Sequence, residues 1–416
     1  MKRRDFIYNS MAMAGVSCFS SLWPSQAFAA TPGQLVFVFL RGGADALSLV
    51  SPSGTAFNTL KALRPNLSIT NPMALTSSLV IHPNLAPLIS DTQLKAGLNF
   101  VLHAGSLYDT RSHFEQMARI ESGDSVGLPT NGFLGRAAVA MSGRATFAIG
   151  NAVPTSLRGT NPVLLQDPAK LQAGYSAYNL KTGFTRSQRL GMYKKTANET
   201  GDANIDSFAR LAQTQYDLLD DVPVTLSQLV TGGGYLNTSF GQRLSVAGAM
   251  LASAANPAFV SVDAEHSWDT HSTQNTNASL STWGAFSGKV DDLARNLLAF
   301  KKDLVTRGKW ATTTVVVMTE FGRTVKENAS LGSDHGRGGL MILMGGGVKP
   351  YTDLAYKGVR AWTLPSSVDS STPLAVTHDY RLILAEILEK KCLVPQATVK
   401  SLFFNQINPA NYLLVV

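Results

Sequence analysis

Acids and histidines recur in this chain just past the ends of apolar runs, a position from which side chains can act together. The β-branched run Thr314 to Met318 stops at Glu320, with Arg323 three residues on. A polar loop then leads to Asp334-His335-Gly336, and the apolar run Leu340 to Leu343 follows. Upstream, Trp268-Asp269-Thr270-His271 stands just after Ala258 to Val262, with Asp263, Glu265 and His266 close by. In an extended segment Asp269 and His271, two apart, point the same way. A carboxylate and an imidazole together suit Zn²⁺, Mn²⁺ or Fe²⁺. An unpaired carboxylate at a strand end is costly. Glu320 is therefore either paired with Arg323, or a metal ligand with Arg323 as a substrate clamp. His335 reads as a ligand rather than a turn cap.

Two further groups follow earlier runs. Arg41-Gly42-Gly43-Ala44-Asp45 succeeds Leu35 to Leu40. There Asp45 is a metal-ligand candidate and Arg41 an anion contact, or the segment is a Gly-rich turn whose Asp caps the backbone. Ser112-His113-Phe114-Glu115 opens a helix after Leu98 to Leu102. Ser112 and Glu115 have capping-box spacing. The same helix start favours an anion, which Thr110, Ser112 or His113 would face. Thr377-His378-Asp379 reads as an N-cap, and His82, before Pro83, as structural.

These clusters need a frame to bring them together. Leu35 to Leu40, Leu98 to Leu102, Ala145 to Ile149, Ala258 to Val262, Thr314 to Met318 and Leu340 to Leu343 are continuous apolar runs. Strands buried on both faces read that way, as in parallel sheets. Between Trp283 and Arg307, Phe286, Val290, Leu293, Leu297, Phe300 and Leu304 recur four and three apart, a helical stripe that Gly308 can close. Strand, helix and strand in that order form a βαβ crossover. The expectation is an α/β fold, a three-layer α/β/α sandwich with a mostly parallel sheet. Residues 157–234, rich in Thr, Asn, Gln and Tyr, read as an inserted helical cap.

The N-terminus reads as an address. Lys2-Arg3-Arg4-Asp5-Phe6-Ile7 is a twin-arginine pattern, a weakly apolar stretch follows, and Ala27-Phe28-Ala29 fits a cleavage site. Residues 1–29 are thus expected to be a Tat signal cut near Ala29/Ala30. The Tat export machinery is the first partner, and the periplasm is the destination. Residues 30–416 would be one domain. Without Lys2, Arg3, Arg4 and Asp5 the formal charge falls from +8 to +6. No basic run suggests nucleic acid. No other stretch approaches the roughly 18 apolar residues that a membrane span needs. Cys18 would leave with the signal, so Cys392 stands alone, an inert core thiol with no disulfide partner.

In order along the chain, Phe39 to Asp45, Ser112 to Phe114, Trp268 to His271, Glu320 to Thr324 and Asp334 to Gly336 resemble a widespread Tat-exported bacterial domain family of unknown function. The likeness covers essentially the whole chain after the signal. The same order is similar to the alkaline phosphatase and sulfatase superfamily. That resemblance implies Asp45 as the first metal-binding acid and Ser112 or Thr110 as nucleophile. It implies Asp269, His271, Glu320 and His335 as further metal ligands. Phe321 stands where the superfamily has a histidine, Glu320 replaces an aspartate, and Asp269 and His271 are closer together than the superfamily pair. A second metal position would hold carboxylates without an imidazole. This favours one metal, a harder ion such as Mn²⁺, Mg²⁺ or Ca²⁺, or a dead site. The implied activity is periplasmic, metal-dependent hydrolysis of small anionic phosphate or sulfate esters. The divalent metal would be Zn, Mn, Mg or Ca, with Ser112 and His113 catalytic and Arg41, Arg323 or Arg337 holding the anion. The alternative is a non-catalytic metal-binding or assembly protein on the same fold.

Overall fold

Every residue of the first strand, β1 (Gln34–Leu40), is buried. Leu35, Phe37 and Phe39 enter one hydrophobic core, and Val36, Val38 and Leu40 enter another. A strand wetted on neither face has no reason to alternate polar with apolar, hence the continuous run. The computed structural model describes residues 31–123, 130–141, 144–160, 162–165, 234–264, 266–275 and 286–416. The expected signal, residues 1–29, and most of the expected cap, residues 157–234, lie outside them.

Seven further strands complete the main sheet of the described residues: β2 (Leu98–Gly105), β3 (Thr146–Ile149), β4 (Val163–Leu165), β5 (Phe259–Ala264), β6 (Thr313–Met318), β7 (Gly339–Gly345) and β8 (His378–Asp379). Their order is β8-β2-β7-β6-β1-β5-β3-β4. β1 pairs in parallel with β5 and β6, β3 with β4 and β5, and β8 with β2. Only β7 is antiparallel to its neighbours, β2 and β6. The reason is local. A parallel return needs a crossover, usually a helix. Between Met318 and Gly339 the chain forms no helix, so it doubles back.

The two cores lie on opposite faces of the sheet. On the first face, helices α3 (Ser239–Ala252) and α4 (Phe286–Thr306) pack against Val36 and Val38. On the other, α1 (His113–Ser122), α2 (Phe133–Ala140) and α5 (Tyr380–Lys390) pack against Phe37 and Phe39. The architecture is the expected three-layer α/β/α sandwich with a mostly parallel sheet. The predicted stripe of α4 is buried throughout, from Phe286 to Leu304. Gly308 follows at φ +66°, and the Lys309 amide donates to Leu304 O at 2.8 Å, closing the helix. Cys392 is fully buried, and burial pushes its thiol up to about 12.

Candidate metal centre

Loops leave the carboxyl ends of β1, β2, β5 and β6 at one edge of the sheet. In the register, Leu40 faces Ala264 and Phe39 faces Met318, so three of these loops start level. β7 runs the other way, so its amino end, preceded by Asp334 and His335, arrives at the same edge. Backbone pairing then draws the segments together. The Trp268 amide donates to Arg41 O at 2.9 Å, the Gly322 amide to Arg337 O at 2.9 Å, and the Ser333 amide to Thr270 O at 3.0 Å.

Two glycines make the close approach possible. Gly42 has φ +114°, and a Cβ there would lie 2.5 Å from the Asp269 amide nitrogen. Gly43 has φ +68°, and a Cβ there would lie 2.6 Å from the Phe321 ring. Arg323 ties three of these loops together. Its buried guanidinium donates to the carbonyls of Gly42, Gly43, Ser333 and Trp268 and to Asp269 Oδ1. A group so enclosed cannot clamp a substrate, and its ion pair is with Asp269 rather than Glu320.

Three imidazoles surround Asp269. His113 Nδ1 lies 2.6 Å from Glu320 Oε1, His271 Nδ1 2.8 Å from Asp334 Oδ1, and His335 Nδ1 2.7 Å from the Arg111 carbonyl. All three partners only accept, so each Nδ1 carries the hydrogen and each Nε2 lone pair is presented elsewhere. All three Nε2 atoms face Asp269 Oδ1, at 3.3 Å for His113, 3.1 Å for His271 and 3.2 Å for His335. The His271 and His335 Nε2 atoms are 2.8 Å apart, a gap with room for one proton at most. His113 Nε2 is buried and, despite its nearness to Asp269, too far off line for a hydrogen bond. Lone pairs converging on an anion need a cation among them. Tetrahedral ligands at zinc–nitrogen distances sit roughly 3.3 Å apart, close to the spacings around Asp269. His113, Asp269 and His335 form a triad that could hold a metal ion, and His271 adds a fourth donor on the more exposed side.

The electrostatics agree. Burial would lower the His113 pKa, but the carboxylates of Asp269 and Glu320 raise it to about 9. Burial likewise opposes ionisation of Asp269, yet His113, His335 and Arg323 hold its carboxyl far below the usual range. A proton and a metal ion would compete for the same lone pairs. The outer shell is also built. Glu320 is fully buried; its Oε1 accepts the Gly42 amide at 2.8 Å as well as His113, and Oε2 lies 2.9 Å from Thr319 Oγ1. Phe321 packs against the rings of His113 and His335 at centroid distances of 4.8 and 4.9 Å.

Of the residues singled out in the sequence, the fold gathers Asp269, His271 and His335, and adds His113 as a donor. Glu320 stands one step back, orienting His113. Asp45 does not join them. It is buried against Arg64 at 2.9 Å, Ser48 at 2.6 Å and Gln274 at 2.9 Å, so its charge is already matched. Burial would raise its carboxyl, but Arg64, Gln274 and Ser48 together outweigh that and lower it. Ser112 is an exposed N-cap whose Oγ accepts the Glu115 amide at 3.5 Å. The capping box is half made, because the Glu115 carboxylate is taken by Arg119 and Thr110. Arg337 pairs with Asp109 at 3.1 Å. His82 and His378 are tied to nearby backbone, at the Asn84 amide and the Leu102 carbonyl. The sequence reading missed the orienting role of Asp334, although it precedes His335 directly, and the wedge made by Phe321.

Beside the cluster opens a cleft of about 350 Å³, lined by His113, Asp269 and Glu320 and, farther out, by Arg41, Arg243, Asp263 and His266. Arg41 is held by Glu121 and Asp263, both at 3.0 Å.

No curated protein matches the sequence. Solved structures similar to the chain include the C-terminal periplasmic domain of EcEptC from Escherichia coli in complex with Zn, at 10% identity and TM-score 0.37, covering 76% of this chain and 73% of that one. An alkaline phosphatase from the Antarctic bacterium TAB5 aligns at 11% identity and TM-score 0.34, covering 76% and 93%. A 2-O GAG sulfatase aligns at 11% identity and TM-score 0.29, covering 79% and 67%. These likenesses are coarse in shape and low in identity. In sequence, the model of a family described as a protein of unknown function, DUF1501, matches residues 33–352, well over half of the chain, which therefore belongs to that family.

Proposed function

We propose that the protein is a metal-dependent hydrolase of small phosphate or sulfate esters that works in the periplasm after twin-arginine export. The observation that carries the metal is the convergence of three Nε2 lone pairs on Asp269 Oδ1, each imidazole locked through Nδ1. His113, Asp269, His271 and His335 would hold the ion. Three imidazoles favour Zn²⁺ or Fe²⁺ over the oxygen-preferring Mn²⁺, Mg²⁺ and Ca²⁺. When bound, such an ion supplies charge to an ester oxygen and lowers the pKa of water. Glu320, Asp334 and the Arg111 carbonyl fix the ring orientations, an outer shell of the usual kind for metal-bound histidine.

Charge in the cleft supports an anionic substrate. Arg41 and Arg243 line it beside the metal-ligand candidates His113 and Asp269, where a bound dication would add to their charge. Ser112 is exposed at the helix cap and outside the cleft lining, which favours water over a serine nucleophile.

The test is a panel of phosphomonoesters, phosphodiesters and sulfate esters assayed with Zn²⁺, Mn²⁺ and Fe²⁺. Turnover with at least one ester, falling about 100-fold or more in His335→Ala and little in Ser112→Ala, is expected. Metal binding without turnover on any ester would replace this reading with a non-catalytic metal-binding protein. Export is tested by replacing Arg3 and Arg4 with lysines, which should strand the uncleaved chain in the cytoplasm; undiminished export would remove the twin-arginine route.

A further inference from the structure

His266 lines the same cleft as His113, Asp269 and Glu320 and is braced by a buried acid that the candidate metal centre does not use. Its Nε2 lies 3.0 Å from Asp292 Oδ2, and Asp292 is 1% exposed. The other oxygen, Asp292 Oδ1, accepts Thr238 Oγ1–H at 2.6 Å and Asn296 Nδ2–H at 2.8 Å. Asp292 and Asn296 both come from α4, Thr238 from the N-cap of α3. Asp292 can accept but not donate, so the His266 tautomer is set: Nε2 carries a hydrogen and Nδ1 has no hydrogen-bond partner among the described residues. A buried carboxylate holding one nitrogen of an imidazole that lines a cleft is an arrangement that readies a histidine for proton transfer.

The cluster creates a need for such a group. Two-metal esterases stabilise the attacking oxygen with one ion and the departing oxygen with the other. Here the carboxylates that could build a second ion site are committed, Asp45 to Arg64 and Glu320 to His113, Gly42 and Thr319. A single ion leaves the departing alkoxide without a counter-charge.

Resting on the hydrolase reading above, we propose that His266 is the general acid for the leaving group and Asp292 the residue that positions it. A water that has lost one proton to solvent forms the new oxygen–phosphorus bond. The ester oxygen–phosphorus bond breaks, and its electron pair stays on the departing oxygen. His266 Nδ1 gives that oxygen its proton, an alcohol leaves, and the neutral imidazole regains a proton from solvent. Asp292 stabilises the imidazolium before transfer and fixes the ring so that Nδ1 is the nitrogen left for the substrate.

The experiment compares phenyl phosphate, whose leaving group needs a proton, with p-nitrophenyl phosphate, whose leaving group needs one far less. In His266→Gln, kcat/KM should fall roughly 100- to 1,000-fold for phenyl phosphate and less than about 10-fold for p-nitrophenyl phosphate. Asp292→Asn should show the same asymmetry more weakly, with metal content and melting temperature held in both variants. Equal losses on the two esters, no loss, or loss of metal in His266→Gln would overturn the assignment while leaving the hydrolase reading in place. Absence of turnover in the unmodified protein with every metal would instead sink both.

Discussion

Asp269 meets one fixed positive charge and three imidazole nitrogens. Arg323 pairs with it, and the Nε2 atoms of three imidazoles lie within 3.3 Å of its Oδ1. The imidazoles are aimed by other groups, so the cluster's geometry is set at their far nitrogens. Glu320 shows this best: it is buried, accepts the Gly42 amide, and holds His113 Nδ1 at 2.6 Å. Replacing Glu320 with Gln keeps the shape but offers His113 an amide that can flip its donor toward the ring. The expected result is metal affinity lower by roughly 10- to 100-fold, with the fold retained. Titration of the metal-free variant with Zn²⁺ measures this; an unchanged dissociation constant would show that Glu320 does not orient His113. The sequence marked Glu320 because an acid ending a β-branched run is conspicuous. It did not separate ligand from orienting acid, because the residue type is the same in both roles.

At the scale of elements, the site depends on how loops meet at the sheet edge. The strands were legible because a run buried on both faces has a distinctive composition, and α4 because its stripe keeps helical spacing over six positions, from Phe286 to Leu304. The direction of β7 was not legible: an apolar run reads the same either way, and only the missing crossover helix between Met318 and Gly339 decides it. Asp45 misled for a similar reason. An acid soon after a strand looks the same whether it faces a metal or Arg64, nineteen residues on. The Gly-rich turn after β1 is where element packing becomes site geometry. Gly42→Ala would force an alanine to φ +114° with its Cβ 2.5 Å from the Asp269 amide. It should cost roughly 2–4 kcal/mol and weaken metal binding. Gly54→Ala is the control, at φ +61° with open space around the position, and should cost about 1 kcal/mol. Equal denaturant midpoints for the two variants would contradict the close approach.

Across the whole molecule, the donors come from loops after β2, after β5 and before β7, about 220 residues apart in sequence at the extremes. The unfolded chain has no such site, so binding of an ion there would be coupled to folding. No helix among the described residues is long and apolar enough to cross a membrane. The family match and the sheet describe a frame; the chemistry rests on whether the four donors take up an ion. The direct measurement is metal per chain by elemental analysis, on protein purified without chelator and on Asp269→Ala, His335→Ala and Asp45→Ala variants confirmed as folded by their melting curves. The account predicts close to one divalent ion per chain in the unmodified protein and in Asp45→Ala, and loss of that ion in Asp269→Ala and His335→Ala. Full metal content in the Asp269 and His335 variants, or no uptake of Zn²⁺, Mn²⁺ or Fe²⁺ by the unmodified protein, would contradict it.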